Sequence, residues 1–138
     1  MTRTIKVTLD MSLSEDGRLP LPDNASICGC LNLYGMAITG LPDNLSVEGY
    51  LDLSGTAITS LPDHLTVGGD LYLTDTAITS LPANLSVGGD LDLSSTAITS
   101  LANNLSVVGD LLVSSTKITS LPASARVGGD IHGLEHMS

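Results

Sequence analysis

Apolar and polar residues alternate along most of this chain within a unit of twenty residues, written most clearly at 81–100 as LPANLSVGGDLDLSSTAITS. When each unit is numbered from its leading leucine, apolar side chains occupy positions five, seven, eleven and thirteen. A period of two is typical of extended chain whose alternate side chains point inward. No apolar set recurs at the spacing of three and four that a helical face requires. The unit therefore predicts two short strands and no helix.

The unit repeats in strict register from Leu21 to Ser120 and breaks off within a sixth copy. Position nine is glycine in every copy, which permits a bend or a close approach of two backbones. Position two is proline except at Ala102, and proline suits a corner because it cannot donate a ladder bond. No single unit can bury its own apolar side, so we expect the units to stack as the turns of a coil. The pattern predicts an all-β solenoid.

The segment LDLSGTAITSLPDHL at 51–65 resembles the core of leucine-rich repeats, L-x-L-x-x-[N/T]-x-[L/I]-x-x-L-P, and the short unit with Leu-Pro resembles the bacterial forms of that family. The resemblance covers residues 21–120. It implies that Leu51 and Leu53 lie on a parallel strand of a curved inner sheet, and that Thr56 and Ile58 point inward at the bend that follows. It also implies that the inner polar column continues through the equivalent threonines: Thr76, Thr96 and Thr116.

The other side of each turn departs from the family. The family usually has a leucine three residues before the strand pair, whereas here a valine lies four residues before it, followed by Gly-Gly or Glu-Gly. Two alternatives remain open for this segment: a second strand, as in a right-handed β-helix, or a loop or short helix. The predicted fold is a right-handed solenoid of leucine-rich-repeat-like or β-helix-like turns with capped ends.

The repeats divide the chain into three parts. Residues 1–20 are expected to form a capping strand and turn, because 5–13 alternate perfectly and 15–18 read as a turn. Residues 21–120 form five repeats. Residues 121–138 form a partial repeat that becomes more polar, as a C-terminal cap requires.

Charge narrows the choice of partners. The net charge is −10, and no Lys or Arg occurs between Leu19 and Thr116. Such a body repels nucleic acid and anionic membranes and attracts a protein with a basic surface. The start does not resemble a signal peptide, and no apolar stretch approaches the roughly 18 residues that span a bilayer, so a cytoplasmic location is expected. The sequence does not determine the oligomeric state.

If positions eleven and thirteen point inward, positions ten, twelve and fourteen point outward from the same strand. All three tyrosines lie there, and these positions differ most between copies. Tyrosine beside carboxylates on a rigid sheet suits protein binding, although strand propensity alone also explains tyrosines in strands. The expected partner-binding residues are the following: Tyr34, Tyr50, Asp52, Asp70, Tyr72, Asp90, Asp92 and Asp110.

Aspartates recur at position ten in one column, from Asp70 through Asp90 and Asp110 to Asp130. Neighbours about 5 Å apart repel by about 0.8 kcal/mol in water, which favours a use for the column. Aspartate after Gly-Gly is also ordinary turn chemistry, and outward acids reduce aggregation. A narrower functional hypothesis is that the acidic body imitates nucleic acid and inhibits a nucleic-acid-processing enzyme, an analogy with small acidic inhibitors.

Two rival hypotheses remain. Regular uncharged columns of threonine and alanine resemble ice-binding faces, which predicts an ice- or surface-binding structural protein, although strand propensity explains them too. The chain is alternatively a repeat fragment with no activity of its own. The columns are as follows: Thr39, Thr59, Thr79, Thr99 and Thr119, flanked by Ala37, Ala57, Ala77, Ala97 and Lys117.

Catalysis finds little support in the sequence. His64, His132 and His136 lie in different copies or in the last turn, and no calcium loop of the D-x-D-x-D-G type occurs. Cys28 and Cys30 form a C-x-C pair without the second ligand pair of a zinc site. We therefore expect no enzyme activity, no cofactor and no metal site.

Overall fold

The computed structural model describes residues 24–101, 103–118 and 122–133, together with the backbone of residues 3–5. The regular secondary structure of these residues consists of short parallel strands joined by turns, and they form no helix. The strands are β1 (Arg3–Ile5), β2 (Ala25–Ile27), β3 (Leu31–Asn32), β4 (Ser46–Val47), β5 (Leu51–Asp52), β6 (Thr66–Val67), β7 (Leu71–Tyr72), β8 (Ser86–Val87), β9 (Leu91–Asp92), β10 (Ser106–Val107), β11 (Leu111–Leu112), β12 (Arg126–Val127) and β13 (Ile131–His132).

The strands build two parallel sheets that share every turn of the repeat. Sheet 1 has the order β1-β2-β4-β6-β8-β10-β12, and sheet 2 has the order β13-β11-β9-β7-β5-β3. Each strand of the repeats pairs with its equivalent twenty residues away, as Val47 does with Val67 and Leu51 with Leu71. This uninterrupted register confirms the prediction of an all-β solenoid whose turns stack on one another.

The interior is the space between the two sheets and the third side of each turn. Leu45 and Val47 point into it from sheet 1, Leu51 and Leu53 from sheet 2, and Ile58 from the third side, all with 1% exposure or less. The same positions are buried in the following three turns, so each apolar side chain stacks on the one at the equivalent position of the next turn. Full burial of one such aliphatic side chain is worth about 1.5–3 kcal/mol. The predicted inward positions are confirmed.

Buried threonines hold the bend between sheet 2 and the third side. The hydroxyl of Thr56 donates to the carbonyl oxygen of Leu53 at 2.7 Å, and Thr76 repeats this bond to Leu73 at 2.8 Å. The hydroxyl needs this partner because it lies beside aliphatic side chains, where an unbonded polar group is costly. Thr116, in the last complete repeat, keeps the bond but is only half-buried. The inner polar column therefore exists as predicted.

The open question about the other side of each turn is answered by sheet 1. The segment before Gly-Gly is a strand, for example β6 and β8, and not a loop or helix. Its valine points inward while its polar neighbour points out, so Val67 is buried and Thr66 is exposed. Each turn thus has a β-strand on two of its sides, a β-helix-like arrangement.

The two ends are described only in part. β1 pairs in parallel with β2 at one end of sheet 1, so the first strand includes Ile5 but begins before it. The remainder of the predicted capping strand and turn lies outside the described residues. At the other end, β12 and β13 continue both sheets into the partial repeat, and the tail from residue 134 lies outside the described residues. Within the described ranges, no helix is long and apolar enough to cross a membrane.

Candidate protein-binding face

Sheet 2 presents its outward side chains on one surface, which we call the tyrosine–aspartate face. Tyr50 and Asp70 stand at the corner just before β5 and β7, while Asp52 and Tyr72 lie on those strands as register partners. Tyr34 follows β3. All eight residues proposed from the sequence fall on this surface: Tyr34, Tyr50, Asp52, Asp70, Tyr72, Asp90, Asp92 and Asp110.

These side chains are less exposed than the sequence predicts. Only Tyr34 is largely exposed, at 68%, and the other seven are half-buried. The expectation that position fourteen is exposed is also wrong in part, because Ser54 is buried and Thr74 half-buried. The aspartates of this face fold back onto the backbone, where their carboxylates accept main-chain amides.

The corner before sheet 2 has an unusual demand for hydrogen-bond acceptors. In sheet 1 the amides donate to the preceding turn, as Gly89 does to the carbonyl oxygen of Gly69 at 2.9 Å. In sheet 2 they donate to the following turn, as Leu71 does to the carbonyl oxygen of Asp90 at 2.8 Å. The direction reverses at position ten. The amide of this residue still faces the preceding turn, but the carbonyl oxygens near it already accept other backbone amides. A buried amide in that place requires another acceptor.

The aspartate column supplies that acceptor. Oδ1 of Asp70 accepts the amide of Asp90 at 2.8 Å, Oδ1 of Asp90 accepts the amide of Asp110 at 2.7 Å, and Oδ1 of Asp110 accepts the amide of Asp130 at 2.8 Å. Charge-assisted bonds of this kind are stronger than neutral ones. We call this chain of contacts the aspartate ladder. It offsets the mutual repulsion of the carboxylates, so turn chemistry is a demonstrated use of the column.

Glycine at position nine makes room for the ladder. A Cβ atom added to Gly89 would overlap Oδ1 of Asp70 and approach the carbonyl carbon of Gly69 to 2.9 Å. The same overlap recurs between Gly109 and Asp90. The invariant glycine and the aspartate that follows it are thus coupled across turns: the glycine of one turn accommodates the carboxylate of the turn before.

Carboxylates at position twelve bond within their own turn. Oδ1 of Asp52 accepts the amide of Ser54, and Oδ1 of Asp92 accepts the amide of Ser94, both at 3.0 Å. These are side-chain turns of the type that aspartate and asparagine favour. The second oxygen of each carboxylate forms no hydrogen bond within the described part of the chain, so the negative charge remains available at the surface.

The tyrosines at the centre of the face form a pair. The ring centroids of Tyr50 and Tyr72 lie 6.3 Å apart at an interplanar angle of 64°, an edge-to-face contact. The Tyr72 hydroxyl donates to Oδ2 of Asp70 at 2.8 Å. This bond, together with burial and the charges of Asp70, Asp90 and Asp52, raises the pKa of Tyr72 to about 12. The neutral phenol is therefore strongly preferred.

The last described turn places an imidazole beside the ladder. Nε2 of His132 lies 3.4 Å from Oδ2 of Asp110. The amide of Asp130 first, and the contact with His132 second, hold the pKa of Asp110 below its ordinary value. The potential ligand atoms of Asp110, Asp130 and His132 lie within 4.8 Å of one another, a grouping that the sequence analysis did not make. None of these three residues is buried.

Sequence reasoning missed a second side-chain column at the corner before sheet 1. Position four has a positive φ in five successive turns, and its asparagines form ladder bonds: Nδ2 of Asn44 donates to Oδ1 of Asn24 at 2.7 Å, and Nδ2 of Asn104 to Oδ1 of Asn84 at 3.1 Å. His64 occupies the same place with φ 63°. The signal was present, because asparagine tolerates the left-handed region better than most residues and recurs here every twenty residues.

The remaining candidates lie away from the tyrosine–aspartate face, or at its first turn. The described alanines and threonines of the rival columns are all exposed on the third side, which we call the threonine side; Thr119 lies outside the described residues. Cys28 and Cys30 are exposed and form no disulfide, and Sγ of Cys30 accepts the amide of Tyr50 at 3.4 Å in the place that aspartate takes in later turns. His64 is exposed and lies in a different turn from His132; His136 lies outside the described residues.

No protein-family model matches this chain, and neither a curated protein nor a solved structure matches it significantly. The resemblance to leucine-rich repeats stays a prediction.

Proposed function

We propose that this protein is a non-catalytic binding module that recognises a protein with a basic surface through the tyrosine–aspartate face. The observation that carries the proposal is the convergence of three tyrosines and five aspartates on one side of sheet 2, in a chain with no Lys or Arg between Leu19 and Thr116. Interface centres are enriched in tyrosine, and acidic surfaces speed encounter with basic partners.

Preorganisation supports the proposal. The carboxylates of Asp52, Asp70 and Asp90 are each held by a backbone amide, and the Tyr72 ring is held by its bond to Asp70. A partner therefore does not have to immobilise these side chains, which otherwise costs about 0.5–1.5 kcal/mol each. The backbone beneath them is a continuous parallel sheet, so the face is presented as a rigid surface.

The narrower form of the proposal is charge mimicry of a nucleic acid. The aspartate ladder puts one carboxylate per turn in a row at a spacing of about 4.8 Å, and Asp52 and Asp92 stand beside it. A groove that binds the phosphates of a nucleic acid would find a line of negative charges here. The partner class is then a nucleic-acid-processing enzyme, which the protein would inhibit by occupying its basic groove.

The test compares two variants that lose the same charge in different places. The face variant changes Asp70, Asp90 and Asp110 to asparagine, which keeps an oxygen for each ladder bond. The control variant neutralises three exposed acids outside the face: Glu48, Asp63 and Asp75. A partner is first captured with the wild-type protein, and its association with all three proteins is then measured at several salt concentrations.

We expect slower association for the face variant, with a weaker dependence on salt, while the control variant behaves like wild type. Equal binding by the face variant and wild type at low salt would contradict the proposal. Equal loss in both variants would show that only net charge matters and would also contradict it. For charge mimicry, the captured protein must in addition lose nucleic-acid binding when the wild-type protein is added.

The threonine side favours a second candidate function. Its exposed threonines and alanines repeat in register and without charge over four turns, from Ala37 to Thr99, which is an arrangement suited to binding ice or another ordered surface. If this function is correct, the purified protein inhibits ice recrystallisation, and changing Thr79 and Thr99 to tyrosine abolishes the effect. Thr66→Tyr, which places the same bulk on the outside of sheet 1, serves as the control. An inactive wild-type protein would remove this candidate.

A further inference from the structure

The Tyr50–Tyr72 pair lies across two neighbouring strands in the middle of the tyrosine–aspartate face. Tyr50 belongs to the corner column and Tyr72 to the strand column, and the other two places of this square hold Asp70 and Asp52. Aromatic rings and carboxylates therefore alternate in both directions. Both rings are half-buried and meet edge to face, so part of each aromatic surface remains open to a ligand. We call these four residues the tyrosine square.

Asp70 is fixed within the square. Its Oδ1 accepts the amide of Asp90 at 2.8 Å, and its Oδ2 accepts the hydroxyl of Tyr72 at 2.8 Å. A carboxylate has about four lone-pair sites, so each oxygen keeps one site for a further donor. Two parallel sites on one oriented carboxylate suit a donor with two N–H groups in a plane.

The field at the square is negative. Asp70, Asp90 and Asp52 each contribute to raising the pKa of the Tyr72 phenol, which shows that three carboxylates act on this ring together. No Lys or Arg occurs between Leu19 and Thr116 to neutralise them. The Tyr72 hydroxyl is engaged as a donor to Asp70, so the outward surface of the square offers acceptors and aromatic carbon.

We propose that the tyrosine square receives an arginine side chain of the protein partner. This inference rests on the proposed function and names the residue type that the face recognises. A guanidinium group is planar, stacks on aromatic rings and donates two parallel hydrogen bonds to a carboxylate, whereas a lysine ammonium is a strongly hydrated point charge. The square supplies both requirements within one turn of the solenoid, a ring beside an oriented carboxylate. Charge complementarity alone would accept either cation.

The test uses three blocked tripeptide amides as probes, with arginine, lysine or citrulline between two glycines. Citrulline keeps the planar shape but removes the charge. Binding is followed by NMR at low salt through the ring resonances of the three tyrosines. We expect the arginine peptide to shift the signals of Tyr50 and Tyr72 but not those of Tyr34, to bind about threefold tighter than the lysine peptide, and to leave citrulline without a detectable shift.

Variants assign the effect to the square. Tyr50→Leu should remove the preference for arginine over lysine, because one ring is lost while every carboxylate remains. Tyr34→Leu is the matched control on the same face, and it should leave the preference unchanged. Circular dichroism of both variants checks that the fold is intact.

Equal affinity for arginine and lysine, no detectable binding of the arginine peptide, or shifts spread along the whole aspartate ladder would each overturn the inference. None of these results contradicts the proposed function, because the face variant tests the proposed function in a separate experiment. Conversely, a partner that binds the face variant as well as wild type contradicts the proposed function even if the peptides distinguish arginine from lysine.

Discussion

Oδ1 of Asp90 accepts the main-chain amide of Asp110, one turn further along the solenoid, at 2.7 Å. The bond joins a surface carboxylate to the backbone of the next turn, so a residue that looks like a solubilising acid is part of the structure. Its loss has a cost beyond that of one charge, because the amide it satisfies has no alternative carbonyl at this corner.

We predict that Asp90→Ala lowers the free energy of unfolding by about 1–3 kcal/mol, the cost of leaving a partly buried amide unpaired. Asp90→Asn should cost less, because the amide oxygen can still accept the bond. Asp63→Ala, which removes an exposed acid outside the ladder, is the control for charge. Urea denaturation measures all three, and equal effects of the alanine variants at positions 90 and 63 would contradict a structural role for the ladder.

The raised pKa of Tyr72 predicts a loss of stability at alkaline pH. Because the pKa moves from 10.0 to about 12 on folding, the contribution to stability is complete below pH 10.0 and is lost as the pH rises through about 12. Absorbance titration of the phenolate should show a component near the upper value that disappears in Tyr72→Phe. Asp70→Asn should move this component toward lower pH. A titration in which Tyr72→Phe changes nothing above pH 10.0 would refute the bond.

The lowered pKa of Asp110 predicts the opposite dependence in acid. A carboxylate favoured by the fold contributes stability above its ordinary value of 3.8, and that contribution is lost as the pH falls through the folded pKa. The amide of Asp130 is the larger cause, so His132→Asn should raise the pKa of Asp110 only part of the way. Carbon NMR of the side-chain carboxyls measures this value. A complete return to the ordinary value would show that the ladder bond contributes nothing.

Position fifteen offers a route to a more stable protein. Gly35 and Gly55 have positive φ there, and in the next turns Ser95 adopts φ 60° with a side chain. A side chain in this conformation costs about 1–2 kcal/mol, whereas the larger backbone entropy that glycine loses on folding offsets part of that gain. Ser95→Gly should therefore raise the free energy of unfolding by about 1 kcal/mol. Ser80→Gly, at an exposed position without a positive φ, should give no gain. Thermal unfolding compares the two, and a loss of stability in Ser95→Gly would contradict the argument.

The alternation of the sequence was sufficient to predict the interior. Leu51 and Leu53 are buried, and Thr56 bonds the bend, because period-two alternation and exact repetition leave few other arrangements for them. The second sheet remained undecided, since a single inward valine before two glycines fits a strand or a loop equally well. Only the pairing of Val67 with Val87 across turns settles it, and pairing is not visible in one copy.

The hydrogen bonds of the tyrosine–aspartate face were harder to predict than the residues that form it. The tyrosines and aspartates were assigned to one surface by counting alone, yet the contact between Asp70 and the amide of Asp90 depends on the reversal of hydrogen-bond direction at the corner. That reversal is a property of the backbone path and leaves no trace in composition. The asparagine column differs, because Asn24, Asn44 and their equivalents stood at fixed intervals before leucine or alanine and indicated a left-handed corner.

Every side-chain contact of the aspartate ladder joins residues one unit of twenty apart, so the ladder tolerates a change in the number of units. Removing residues 81–100 as a block would join Ser80 to Leu101 and bring the amide of Asp110 to the carboxylate of Asp70. Gly109 would then make room for this carboxylate, as Gly89 does in the intact protein. Duplication of a unit would extend the row in the same way. A deletion whose length is not a multiple of twenty would misalign the turns on either side of it. Gain or loss of whole units therefore lengthens or shortens the acidic row in steps of about 4.8 Å, and each step uses only the types of contact already present.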